Sequence, residues 1–291
     1  MSIQECRSFL HLNTGENENI FIFYGWVSRR AGPKIACGAR VLPLPKTAAK
    51  EILPARNYDD WFESVFKVRV PVPGVRIACS WPEETTWGQK AHNALLSVEY
   101  EYVRMLLQEI RAKGVEGDLV EFGIFEGWWI NFLWQETERM GLQRRVYGFD
   151  SFEGLSEPDP TRDGTFWKKG QYACGWEKVA VNVQAGNRPR IKLVKGFFEK
   201  SLRGPDARLA EMFCYVRIDC DLYAPARDCL NYLTTRLADG AILVFDDWPH
   251  VLGYGEQLAF EEWLVRASHL EFEFLFYNTI GHMYLRVHHK K

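Results

Sequence analysis

The chain has 291 residues, with 36 Lys plus Arg against 38 Asp plus Glu, so it is long enough to bury one large core and is close to electroneutral. Neither sign forms a charge run beyond the terminal His288-His289-Lys290-Lys291, which argues against a nucleic-acid partner, and no stretch approaches the ~20 apolar residues of a membrane span. Scattered cysteines without a Cys-x-x-Cys pair, and no apolar leader after Met1, fit a reducing cytoplasm; homo-oligomerisation is left open.

Residues 1–95 show no regular alternation of elements. They hold a candidate hairpin strand at Ile20–Val27, a Gly/Pro-punctuated stretch (Gly32-Pro33, Pro43, Pro45, Pro54), and a Tyr58–Val70 run broken by Pro71, Pro73 and Gly74. An irregular cap or lid is expected there. Residues 96–291 alternate between helix and strand patterns. Val98–Lys113 places Val98, Tyr102, Met105, Leu106 and Ile110 at helical spacing and stops at Gly114. A buried strand, Asp118–Phe122, leads through Gly123-Ile-Phe-Glu-Gly127 into a helix, Trp128–Met140. The second strand, Arg145–Phe149, closes on Asp150. A long polar loop, 151–171, precedes a helix at Trp176–Gln184 and a third strand at Ile191–Val194.

Helix Asp206–Met212 then leads into strand Cys214–Ile218, and helix Ala226–Leu237 into strand Ala241–Phe245. Helix Gln257–Ser268 and a hairpin of Glu271–Phe276 with His282–Val287 follow. This alternation implies an α/β fold, a parallel sheet with helices on both faces and one antiparallel strand added by the hairpin.

Four aspartates gather where apolar runs stop: Asp219 and Asp221 after Ile218, Asp246 and Asp247 after Phe245. Carboxylates crowded in one crevice need a cation, a proton or strong donors to offset their repulsion, so the cluster points to a divalent metal or to an acid/base site. Asp246 and Asp247 can enter one site only if the strand has ended before them, as Pro249 suggests. Asp221 has a second reading, as a cap for the helix that starts nearby. The glycine loop is either a tight turn or, with Asp150 ending the next strand, a nucleoside-cofactor site whose acid accepts ribose hydroxyls. A third glycine of the dinucleotide fingerprint is missing, because Trp129 occupies its place, so NAD is the weaker choice.

Five stretches carry a family resemblance: Gly117-Asp-Leu-Val-Glu-Phe-Gly-Ile-Phe-Glu-Gly127, Val146-Tyr-Gly-Phe-Asp-Ser-Phe-Glu-Gly-Leu155, Val194-Lys-Gly-Phe-Phe-Glu-Lys-Ser-Leu202, Ile218-Asp-Cys-Asp-Leu-Tyr223 and Gly240-Ala-Ile-Leu-Val-Phe-Asp-Asp-Trp248. In this order they resemble the motifs of the macrocin and mycinamicin sugar O-methyltransferases, over about residues 95–265. The resemblance implies a class I methyltransferase (Rossmann-like) fold with a seven-stranded, mostly parallel sheet, S-adenosylmethionine as donor, Mg²⁺, and a sugar or glycosylated small molecule as acceptor. Glu121, Gly123, Phe125 and Gly127 would line the cofactor site, with Asp150 on the ribose, Ser151 beside it and Asp219 at its edge. Asp219, Asp246 and Asp247 match the metal-binding aspartates, and Asp221 a position suspected of base function. The chain has Phe125-Glu-Gly-Trp128 where the family usually shows Trp-Arg-Gly-Gly, Ala224-Pro-Ala226 in place of a polar segment, and Trp248 for a tyrosine; these differences bear on the acceptor.

Of the remaining candidates, His250 suits a base or a pocket wall, and Tyr223 and Trp248 suit sugar-stacking surfaces. Gly196, Phe197 and Phe198 suit either the adenine or the core. A catechol-type O-methyltransferase using the same acids on a flat diol, and a non-catalytic cofactor-binding protein, are the rival readings.

Overall fold

The computed structural model describes residues 10–13, 18–21, 87–248, 253–277 and 282–291. Most of the expected cap, including Tyr58–Val70, lies outside these residues, as does His250. The chain divides into two compact units, Met1–Glu109 with Phe274–Ile280, and Ile110–Glu273 with Gly281–Lys291.

In the first unit, β1 (Leu10–Asn13) and β2 (Glu18–Phe21) pair antiparallel with Leu10 opposite Phe21. The strand expected at Ile20–Val27 therefore begins two residues earlier, and its second half falls outside the described residues. Helix α1 (Trp87–Ala112) starts well before Val98, because Ala91, Ala94, Leu95 and Leu96 are good helix formers that a search for an apolar stripe passes over.

The main sheet has seven strands: β3 (Asp118–Phe122), β4 (Val146–Asp150), β5 (Ile191–Lys195), β6 (Phe213–Ile218), β7 (Leu237–Phe245), β8 (Leu270–Tyr277) and β9 (Met283–His289), in the order β5-β4-β3-β6-β7-β9-β8. β3 to β7 pair in parallel, and β9 runs antiparallel to β7 with Phe245 opposite Met283. This is the mostly parallel sheet with an antiparallel C-terminal strand that the sequence implied. The interstrand bonding continues past the strand ends: Gly123 N donates to Phe149 O (2.8 Å), Asp219 N to Phe122 O (2.9 Å) and Asp246 N to Ile218 O (2.8 Å).

The connecting helices are α2 (Trp128–Arg139), α3 (Trp176–Asn182), α4 (Phe198–Ser201), α5 (Pro205–Arg208), α6 (Tyr223–Leu233) and α7 (Gly255–Trp263). Two expected boundaries move. The helix predicted at Ala226–Leu237 begins at Tyr223, since Pro225 is tolerated in a first turn, and stops at Leu233. β7 then starts at Leu237 instead of Ala241; Asp239-Gly240, which reads as a turn, lies inside a bulged stretch with Gly240 at φ 88°. The helices expected at Asp206–Met212 and Gln257–Ser268 are shorter and end at Arg208 and Trp263.

The core of the second unit is built on the central strands, where Leu119, Val120, Phe122, Val216, Ile218, Leu243, Val244 and Phe245 are fully buried. Phe122 packs against Phe149 (5.2 Å between centroids) and edge-on against Phe198 (5.8 Å). Each such side chain contributes about 1.5–3 kcal/mol of burial free energy. Phe198 therefore serves the core. This rigid platform holds the carboxyl ends of β3 and β6 side by side at the point where strand order reverses, the place where open α/β sheets form a ligand crevice.

Candidate active site

On the β3 side of the crevice, Gly123 (φ 82°) has no room for a side chain: a Cβ there would stand 1.7 Å from the carbonyl oxygen of Asp219. Its glycine is demanded by the protein's own backbone. Gly127, also left-handed (φ 84°), sits at the N-cap of α2, and a Cβ there would stand 2.4 Å from Cγ1 of the buried Val183 and 3.5 Å from Cγ1 of Val179. Asp150 binds the loop to β4: Oδ2 accepts from Ile124 N (2.7 Å) and Phe125 N (3.3 Å), and Oδ1 from Phe152 N (2.6 Å). Burial raises its pKa and these N–H groups oppose the shift. Ser151 closes its own turn, donating to Gly154 O (2.9 Å) and accepting from Glu153 N (3.0 Å). Gly196 (φ 133°) and Phe197, the N-cap residue of α4, follow β5 beside them.

The β6 and β7 ends are different in kind. β7 stops at Phe245, so both Asp246 and Asp247 turn inward, and carboxylate oxygens of Asp219, Asp246 and Asp247 all lie within 4.8 Å of one another. Burial lifts Asp219 well above the usual carboxylate range, with the Asp246 charge adding to it; burial and then Asp221 do the same to Asp247. Burial pushes Asp246 up too, but Arg217 and His282 outweigh it and hold this carboxyl below the usual range. Protons or a cation are what such a group requires. Three hard oxygen donors this close fit a divalent cation such as Mg²⁺.

Asp221 takes a left-handed conformation (φ 61°) and is 8% exposed; burial, then the Glu256 charge, pushes its pKa up to about 7. It does not cap α6. That role falls to Asp163, sixty residues away, whose Oδ1 accepts from Tyr223 N at 2.6 Å. A non-glycine residue held at positive φ while capping nothing is an outlier of the kind found at working sites.

Three residues that the sequence did not single out, Arg217, His282 and Glu256, join the site, and Glu121, which it did, meets the first of them. Arg217 is 5% exposed, ion-pairs with Asp246, and lies 3.5 Å from Asp219 and 3.8 Å from Glu121, with its guanidinium 4.1 Å over the Trp129 ring. An arginine inside an apolar strand run was the available signal, since buried arginine is almost always paired. Glu121 is driven up to about 8 by burial against the pull of Arg217, and its Oε2 has no hydrogen-bond partner. His282 Nε2 lies 2.9 Å from Asp246 Oδ1. Glu256, fully buried on α7, accepts from Cys220 N (3.1 Å) and from Asp247 N (3.2 Å), so one carboxyl ties the two aspartate loops together.

Two expected stacking residues are elsewhere. Trp248 is 1% exposed and packs against Phe245 (5.1 Å) and Phe260 (5.6 Å), which makes it core and not a sugar surface. Tyr223 is covered by Arg162 (4.2 Å), and its hydroxyl donates to Glu262 (2.6 Å).

Residues 82–261 match the family described as macrocin-O-methyltransferase (TylF). The chain belongs to this family. It is 29% identical over 172 residues to the 8-demethyl-8-(2,3-dimethoxy-alpha-L-rhamnosyl)-tetracenomycin-C 4'-O-methyltransferase of Streptomyces olivaceus, covering 56% of this chain and 64% of that one. It is 25% identical over 177 residues to the demethyldecarbamoylnovobiocin O-methyltransferase of Streptomyces niveus, covering 57% and 66%. The match thus spans just under two thirds of each relative. Solved structures of the O-methyltransferase NovP (21% identity, TM-score 0.54, covering 66% of this chain and 80% of that one) and of the calicheamicin methyltransferase CalS11 (22%, 0.50, 69% and 80%) share the fold. Among the described residues no helix is long and apolar enough to cross a membrane.

Proposed function

We propose that the protein is an O-methyltransferase that moves a methyl group from S-adenosylmethionine to a hydroxyl of a sugar or glycosylated small molecule, with Mg²⁺ in the acid cluster. The observation that carries the reading is the convergence of Asp219, Asp246 and Asp247 beside the strained Asp221, in a chain of this family. The two curated relatives named above support the acceptor class.

The chain's own residues divide the work as follows. The loop from Gly123 to Gly127 and Asp150 form the cofactor side, which when loaded supplies a sulfonium methyl group. Asp219, Asp246 and Asp247 would hold Mg²⁺, which when bound would supply positive charge that eases ionisation of an acceptor hydroxyl. Asp221, poised near neutrality, accepts the hydroxyl proton. Arg217 limits the negative charge of the cluster and orients Asp246 and Asp219. Glu256 fixes the separation of the two loops.

The test is a labelled-donor screen of sugar nucleotides, glycosides and catechols, with titration calorimetry of S-adenosylmethionine alongside. Turnover should stop in EDTA and return with Mg²⁺, and Asp219→Asn, Asp246→Asn and Asp247→Asn should each suppress turnover while the donor still binds. Asp221→Asn should lower kcat by about 10²–10⁴-fold. Full activity after exhaustive dialysis against EDTA would remove the metal and leave Asp221 as a lone base; methylation confined to catechols would shift the acceptor class.

A further inference from the structure

Five aromatic rings form a continuous surface on the second unit. Phe125 of the glycine loop meets Trp128, the first residue of α2 (6.4 Å between centroids), and Tyr172 (6.0 Å); Tyr172 meets Trp167 (6.4 Å), which meets Phe166 (4.9 Å), all edge-on. Burial does not explain them, since Phe125 is 40% exposed, Tyr172 51%, Trp128 61% and Phe166 72%. A contiguous apolar patch of this kind marks a binding surface. Phe125 (φ 43°) and Tyr172 (φ 56°) are also held in the left-handed region, a cost that a merely solvated ring would not require.

The patch adjoins the glycine loop, which abuts the backbone of Asp219. The phenol of Tyr172 is raised by burial and then by the charges of Asp221, Asp247 and Asp219. We infer that Trp128, Tyr172, Trp167 and Phe166 form the acceptor platform, with Phe125 at its junction with the donor loop, and that they take a flat aromatic aglycone carrying the sugar to be methylated. The inference rests on the sugar O-methyltransferase reading.

Charge argues against a nucleotide-activated sugar in the same place. The cations beside the rings already face carboxylates, so a diphosphate would have to compete for them: Lys178 with Glu126 (2.5 Å), Lys169 with Glu157 (3.7 Å) and Arg162 with Glu262 (3.7 Å). Lys168 is the one cation of this loop without a side-chain partner among the described residues.

The test compares binding of 4-methylumbelliferyl α-L-rhamnoside, methyl α-L-rhamnoside, dTDP-L-rhamnose and free 4-methylumbelliferone, with S-adenosylhomocysteine and Mg²⁺ present, by calorimetry. The aryl glycoside should bind at least about tenfold more tightly than the methyl glycoside, equivalent to about 1.4 kcal/mol. Trp128→Ala and Tyr172→Ala should each bring that ratio toward one. Equal affinity for the two glycosides, tightest binding of the nucleotide sugar, a ratio unchanged in both variants, or no binding of any probe would overturn the inference. Trp128-dependent binding of 4-methylumbelliferone, with neither rhamnoside bound, would support the platform and defeat the sugar reading.

Discussion

The two sides of the crevice solve opposite problems. On the glycine-loop side the loop itself is satisfied, though Glu121 Oε2 beneath it is not: Asp150 spends both oxygens on backbone N–H groups, Ser151 closes its own turn, and Gly123 is shaped by the backbone of Asp219. On the acid side repulsion is left standing, with Asp219, Asp221 and Asp247 all raised and Asp221 held at positive φ. A surface that completes its own bonds is preformed for its ligand. A surface that leaves charge uncompensated is waiting for a cation or a proton.

The sharpest break in this contrast should come from Gly123→Val, which drives a branched side chain into a carbonyl at 1.7 Å. A loss above about 4 kcal/mol by chemical denaturation is expected, a size reserved for backbone clashes and core damage. A stable, folded variant would show that the two sides are not locked together at this point.

Next is Glu256→Gln, which keeps the shape but turns one of two acceptors into a donor facing an N–H. The expected cost is about 2–3 kcal/mol, the penalty of a buried unsatisfied group, with weaker Mg²⁺ binding by calorimetry and little change for S-adenosylmethionine. If stability fell but Mg²⁺ affinity held, Glu256 would be a structural brace only.

Asp150→Ala should cost about 1–2 kcal/mol, because it orphans the N–H groups of Ile124, Phe125 and Phe152 at a site still partly open to water. Donor affinity should fall as well. Weakened donor binding with unaltered stability would mean that the loop does not depend on Asp150.

A different lever on the same comparison is pH. Glu121 has a folded pKa of about 8 against 4.5 when unperturbed, so the folded state holds the proton more tightly than the unfolded chain. Stability from this group is full below pH 4.5 and is lost as pH rises through 8. Glu121→Gln, which cannot ionise, should flatten the decline across that window in denaturation series. A decline of unchanged steepness would assign it to other groups.

How legible these two sides were depends on sequence distance. The aspartate positions could be read because an apolar run ends at Ile218 and another at Phe245, and a carboxylate beyond a strand end has few places to go. The cap on α6 could not be read: Asp221 was the local candidate, while Asp163 reaches Tyr223 N from a loop that shows no pattern of its own. Trp248 looked like a ligand surface because aromatics next to acids often are; burial between Phe245 and Phe260 decided otherwise.

By itself the sequence determined the order of strands and helices, the strand-end acids and the tight glycine turn, because apolar periodicity and glycine's backbone freedom are local properties. Only the tertiary structure decided which polar groups meet. Arg217 against Glu121 and Asp246, Glu256 across the two loops, His282 on Asp246, and the meeting of Phe125 with Tyr172 are all contacts between residues far apart in the chain. Their energies depend on burial and on distances of a few ångströms, and sheet pairing sets both.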